Sequence, residues 1–140
     1  METIAITLFI IACGSWMGAI LFHSAVVAPT TFTRLPAEHA GTFLRGLFPR
    51  FFVFGLICGG VMLAAVVALA ALQQVRDWLL TGTLIMVVLE AVSLAMVPAI
   101  NRARDEERKQ AFGRLHGINV LLTLAILAIG LTLLWVVAAS

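Results

Sequence analysis

Charge is scarce in this sequence and tyrosine is missing altogether. Only 11% of the 140 residues are charged, where a soluble domain carries nearer a quarter, so an ordinary water-soluble domain is excluded. The two cysteines, Cys13 and Cys58, belong to no CxxC pair and no Cys/His set of metal-binding spacing, which argues against a zinc site or a dithiol couple. They fall in apolar runs at different depths, a placement that disfavours a disulfide and reads as apolar packing cysteine. No glycine-rich nucleotide motif is present, so transport driven directly by a nucleotide is not expected. Cations are absent from both termini. The chain opens Met1-Glu2-Thr3, without the basic n-region of a signal peptide, and its first apolar run is longer than an h-region, so it reads as a retained first helix.

What fills the sequence is apolar: 62% hydrophobic residues and a mean hydropathy of +1.10. A helix crossing a bilayer needs about 20 predominantly apolar residues, and four windows meet that need, near 4–28, 48–72, 78–100 and 112–138. They are too long and continuous for barrel strands, and in lipid every backbone polar group must pair internally. The expected fold is therefore all-α, an integral membrane four-helix bundle forming one domain over 1–140.

The 9 cations set an orientation. Arg34, Arg45 and Arg50 lie between the first two windows; Arg102, Arg104, Arg108, Lys109 and Arg114 lie between the last two. The remaining one, Arg76, sits in the turn at 73–77. By the positive-inside rule both long connections face the cytoplasm and both termini face out, in a plasma (inner) membrane. Trp78 and Trp135 then share the outer interface, as amphipathic rings prefer. A net charge of +2 with this distribution carries no nucleic-acid signal. The basic connections suit anionic lipid heads instead. Residues 37–47, with Phe43, Leu44 and Leu47 clustered, read as a short amphipathic helix lying at the cytoplasmic interface.

An internal repeat is visible at a shift of 69 residues, which places Met17 on Met86, Ser24 on Ser93, Pro29 on Pro98, Phe43 on Phe112 and Arg45 on Arg114. Each half reads as a helix ending in proline, a polar linker, Phe-x-Arg and a second helix. A tandem duplication of a two-helix hairpin would relate the halves by an axis along the membrane normal. The ionisable residues break that symmetry, since Glu90 falls on Leu21, His116 on Leu47 and His23 on Val92.

Those residues are the candidate site. Glu90 stands in the middle of an otherwise apolar window, about 12 Å in from Pro98 at 1.5 Å per residue. Glu90, Val97 and Asn101 share one helical face; Phe112, His116, Asn119 and Thr123 share another; Trp16, Ala19 and His23 a third. An intramembrane charge usually faces the bundle interior and pairs there. Glu90, His23, His116, Asn101 and Asn119 are therefore expected to converge, and His23, His116 and Glu90 are candidate metal ligands. The plainer readings are interfacial or capping roles for His23 and His116, and a solvated loop position for His39. Gly14-x-x-x-Gly18, Gly55-x-x-x-Gly59 and Gly113-x-x-x-Gly117 read as packing surfaces.

The segments "VVAPTTFTRLPAEHAG", "LFPRFF", "VPAINRARD" and "RLHGIN" together resemble the transmembrane protein 205-like family, across nearly the whole chain. The resemblance implies a four-helix membrane protein with a suggestion of metal or solute handling, and it supplies no catalytic residues. More distantly, the architecture is similar to small four-helix families linked to copper resistance and haem-pathway oxidation, without a transferable ligand motif.

Three function classes stay open. One is a binding or transport module for a metal ion, proton or small solute entering from the cytoplasm, which the sequence favours. Another is a membrane oxidoreductase or haem/porphyrin-binding protein, with His23 and His116 as axial ligands. The last is an accessory subunit of a larger membrane complex. At this length, a transport pathway would call for a homo-oligomer.

Overall fold

A computed structural model describes residues 1–72 and 77–139. Residues 73–76 of the turn expected at 73–77, Arg76 among them, lie outside the described residues. Helix α1 (Glu2–Phe22) runs through a π-helical turn (His23–Val27) into α2 (Ala28–Arg34). Helices α3 (Ala37–Ala71), α4 (Asp77–Asp105) and α5 (Lys109–Ala138) follow. The first three elements form one continuous span, and this span and each of α3, α4 and α5 is long and apolar enough to cross a membrane. The fold is an all-α four-helix membrane bundle.

Proline does not end these helices. Pro29, Pro49 and Pro98 all lie inside helical segments, so residues 37–47 are the first turns of α3 and not a separate interfacial helix. Proline ends a helix in water because it lacks an N–H and its ring crowds the preceding turn. In a membrane bundle the freed backbone groups are satisfied by local π or 3₁₀ adjustment and by neighbouring helices. The first span makes that adjustment visibly, with its π turn just ahead of Pro29. The chain reverses where a proline does restrict its predecessor. Leu35 is extended (φ −111°, ψ 142°) and Pro36 caps α3.

The other loop-end turn is tighter. Glu107 takes a left-handed conformation (φ 52°), Arg108 N–H donates to Ala103 O at 2.9 Å and Glu107 N–H to Arg104 O at 3.0 Å. This is a Schellman-type stop with glutamate where glycine is usual.

The spans pack as a ring. α1 touches α3 and α5, and α4 touches α3 and α5, while the diagonal pairs do not meet. A two-fold axis exchanging the hairpins requires this ring order. In the 69-residue register, though, the halves do not bury equivalent positions. Met17 and Met86 are both buried, whereas Leu21 and Ser24 are exposed where Glu90 and Ser93 are buried.

Toward the termini the core is closed by Phe9, Cys13, Met17, Met62, Val66, Met86, Ile126 and Leu133. Gly59 and Gly130 permit the close approach, since a Cβ there would strike Val87 and Met17 respectively. Of the three GxxxG pairs, only Gly55/Gly59 packs inside the chain; nothing lies within 4 Å of a Cβ at Gly14, Gly18, Gly113 or Gly117. The outer faces carry Ile11, Phe22, Ile57, Val67, Val88 and Leu121, the apolar surface lipid requires. Trp78 and Trp135 both lie exposed toward the end of the bundle that carries the termini.

Candidate functional site

At the loop end the bundle opens. Past the π turn, α2 touches α3 but not α4 or α5. The gap is a cavity of about 570 Å³, bordered by all four spans. That volume lies within the range of ordinary small-molecule pockets. Its walls are mostly apolar: Ile20 and Phe32 from the first span, Phe48, Phe51 and Phe52 from α3, Val97 and Ile100 from α4, and Val120 and Leu124 from α5.

Four of the five residues singled out by spacing line this cavity: His23, Asn101, His116 and Asn119. Asn119 is buried, and its Nδ2 donates to Ser93 O at 3.0 Å. Thr123 Oγ1 donates to Asn119 O at 3.0 Å. His23 is half-buried at the π turn, with its ring against Phe48 and Phe51 at centroid distances of 5.2 and 5.0 Å. His116 is exposed at the rim and stacks on Phe112 at 5.7 Å, nearly parallel. Asn101 is half-buried on α4, one turn beyond Val97.

Glu90 is not among the lining residues. It lies deeper, two turns beyond Val97 toward the termini, with 0% exposure. Gly55 makes room for it, because a Cβ there would collide with Glu90 Oε1 and Trp16 Nε1. The indole N–H of Trp16 is turned toward the carboxyl but falls short of a formed hydrogen bond. Trp16 Nε1, both Glu90 oxygens and Ser93 Oγ are all buried without a partner. The Glu90–Trp16–Ser93 cluster is thus a second polar node, separate from the cavity.

Sequence reasoning passed over the cations at the mouth. Arg45 and Arg104 both line the cavity. Arg45 forks onto Asp105, Nη2 to Oδ1 at 2.5 Å and Nη1 to Oδ2 at 3.3 Å, tying α3 to α4. Arg104 lays its guanidinium against the backbone of Gly41, where a Cβ would collide with it. The missed signal was helical spacing, since Val97, Ile100, Asn101 and Arg104 continue one face beyond Pro98. Among the described residues no group of three His, Cys, Asp or Glu is placed to hold a metal ion.

The apolar spans and the ring they form define a multi-pass membrane protein of the four-helix class. Residues 11–110 match a family described as a domain of unknown function, DUF4149, and the chain belongs to that family. The matched stretch contains His23, Glu90 and Asn101, while His116 and Asn119 lie beyond it. No curated protein and no solved structure matches the chain.

Proposed function

We propose that this protein binds a small solute in the loop-end cavity, with His23, Asn101, His116 and Asn119 as its polar contacts and the aromatic walls as its bed. The observation that carries the reading is the cavity itself: side chains drawn from every span border one space of about 570 Å³, although such spaces inside folded domains are normally filled. The solute enters from the cytoplasm, because eight of the 9 cations cluster at this end and the positive-inside rule puts that end inside the plasma membrane. The segments that resemble the transmembrane protein 205-like family support a finer kinship in the same direction. Metal capture by His23, His116 and Glu90 is the weaker version, since Glu90 stands apart from the cavity and the charged side chains at its mouth are arginines.

Native mass spectrometry on protein released from its membrane tests the reading. The wild type should carry a bound small molecule, and Ala28→Phe or Val120→Phe, which fill the cavity from opposite walls, should lose it. Unchanged occupancy in both variants would remove the cavity from consideration. The optical spectrum of the same preparation separates the haem alternative, which requires a Soret band. For sidedness, Thr3→Cys should react with an impermeant maleimide on intact cells and Glu106→Cys should not; the reverse pattern inverts the orientation.

A further inference from the structure

The lining of the cavity is polarised along its depth. At the deep end the polar groups are already engaged: Asn119 Nδ2 is bonded to Ser93 O and Thr123 Oγ1 to Asn119 O. What remains there is hydrocarbon from Ile20, Phe52 and Leu124. At the mouth, Arg104, Asn101 and His116 form no side-chain hydrogen bond or ion pair among the described residues, and the lining contains neither aspartate nor glutamate. Asp105, the nearby carboxylate, is taken up by Arg45, so it offsets one of the two guanidinium charges and leaves Arg104 uncompensated at contact distance. A metal cation would be repelled by this arrangement. A compact anion alone would find a charged mouth and then an apolar interior with nothing to bond.

Resting on the cavity reading above, we propose that the ligand is a single-chain anionic amphiphile, a carboxylate or phosphate head carried on one acyl chain. The head sits against Arg104 beside Asn101 and His116. The chain runs inward between Ile20, Phe52 and Leu124. Guanidinium groups are well suited to carboxylate and phosphate oxygens, which they contact through several N–H donors at once, and an uncharged head leaves those donors unused.

The test is equilibrium binding to purified protein in dodecyl maltoside, a neutral detergent without phosphate, using palmitate, hexadecyl phosphate, hexadecanol and inorganic phosphate as probes. The two anionic amphiphiles should bind about ten-fold more tightly than hexadecanol, the worth of a charge-assisted bond. Arg104→Gln should erase that preference and Arg104→Lys should keep part of it. Inorganic phosphate at millimolar concentration should not displace palmitate. Equal binding of palmitate and hexadecanol by the wild type, an unchanged preference in Arg104→Gln, or displacement by phosphate alone each overturns the proposal. The cavity-filling variants separate its failure from failure of the broader reading. If hexadecanol binds as well as palmitate and both are lost in Ala28→Phe and Val120→Phe, the cavity stands and the head-group assignment falls. If palmitate binding survives both variants, the cavity is not the site and both readings fall.

Discussion

The two ends of this bundle solve the same packing problem in opposite ways. Toward the termini, Phe9, Met17, Met62, Val66 and Met86 interlock behind Gly59 and Gly130, and no large space is left. Toward the loops, the same four spans diverge around a cavity ringed by phenylalanine, histidine and arginine. Lipid offers little hydrophobic drive for helix association, so bundles hold together by close van der Waals packing and a few polar contacts. The closed end supplies that packing. The open end forgoes it and substitutes the Arg45–Asp105 clamp between α3 and α4. Stability and binding are thus divided between the ends of one short bundle.

The comparison breaks first where packing is deepest. Met62 is fully buried in the closed end, and Met62→Ala should cost about 2 kcal/mol, toward the lower end for large-to-small core changes because the transfer term is muted in lipid. Leu124→Ala, on the cavity wall, should cost no more than about 0.5 kcal/mol. Denaturant unfolding in micelles reads both, and similar losses would mean the ends are not energetically distinct.

Glu90 sharpens the comparison from the interior side. Its carboxyl is buried without a hydrogen-bond partner, and an unpaired buried polar group is a net cost that a similar-sized apolar side chain removes. Glu90→Met should therefore stabilise the fold by about 1 kcal/mol in the same unfolding assay, while palmitate binding at the separate cavity stays within two-fold, about 0.4 kcal/mol. A destabilised Glu90→Met, or a collapse of binding, would join the two nodes into one site.

The smallest effect belongs to the loop end. Glu107 holds a left-handed conformation that glycine adopts without penalty. Glu107→Gly should raise stability by about 0.5 kcal/mol after the entropic cost of glycine is subtracted, a shift within reach of thermal unfolding followed by circular dichroism.

How far the sequence could be read follows from which physics was local. The spans were legible because length and apolarity alone decide what crosses a bilayer. The cavity lining was largely legible too, since the face Phe112–His116–Asn119–Thr123 and the face Val97–Asn101 are matters of helical period. Glu90 was placed on the right face but joined to the wrong neighbours. Depth along a straight helix cannot show that the first span bends at His23–Val27 and carries His23 to a space that Glu90 does not reach. Arg45 and Arg104 were passed over because proline was read by its behaviour in water, which consigned everything beyond Pro98 and before Pro49 to loops. The Gly14/Gly18 and Gly113/Gly117 pairs misled for a simpler reason: the motif allows a close approach without saying which neighbour, if any, makes it.

The π turn has one more consequence, for insertions and deletions. A turn closed by i→i+5 bonds holds one residue more than the α-helical turn it replaces, so His23–Val27 behaves as a single-residue insertion that the first span has absorbed. Removing one residue there, Ala25 for instance, would let the span run as plain α-helix and rotate everything beyond it by about 100°. Thr31, now buried, and Phe32, now on the cavity wall, would exchange surroundings with their neighbours while α1 and the closed core stayed in register. The wall of the cavity is therefore set by a reading frame as much as by the residues in it, and one codon is enough to change it.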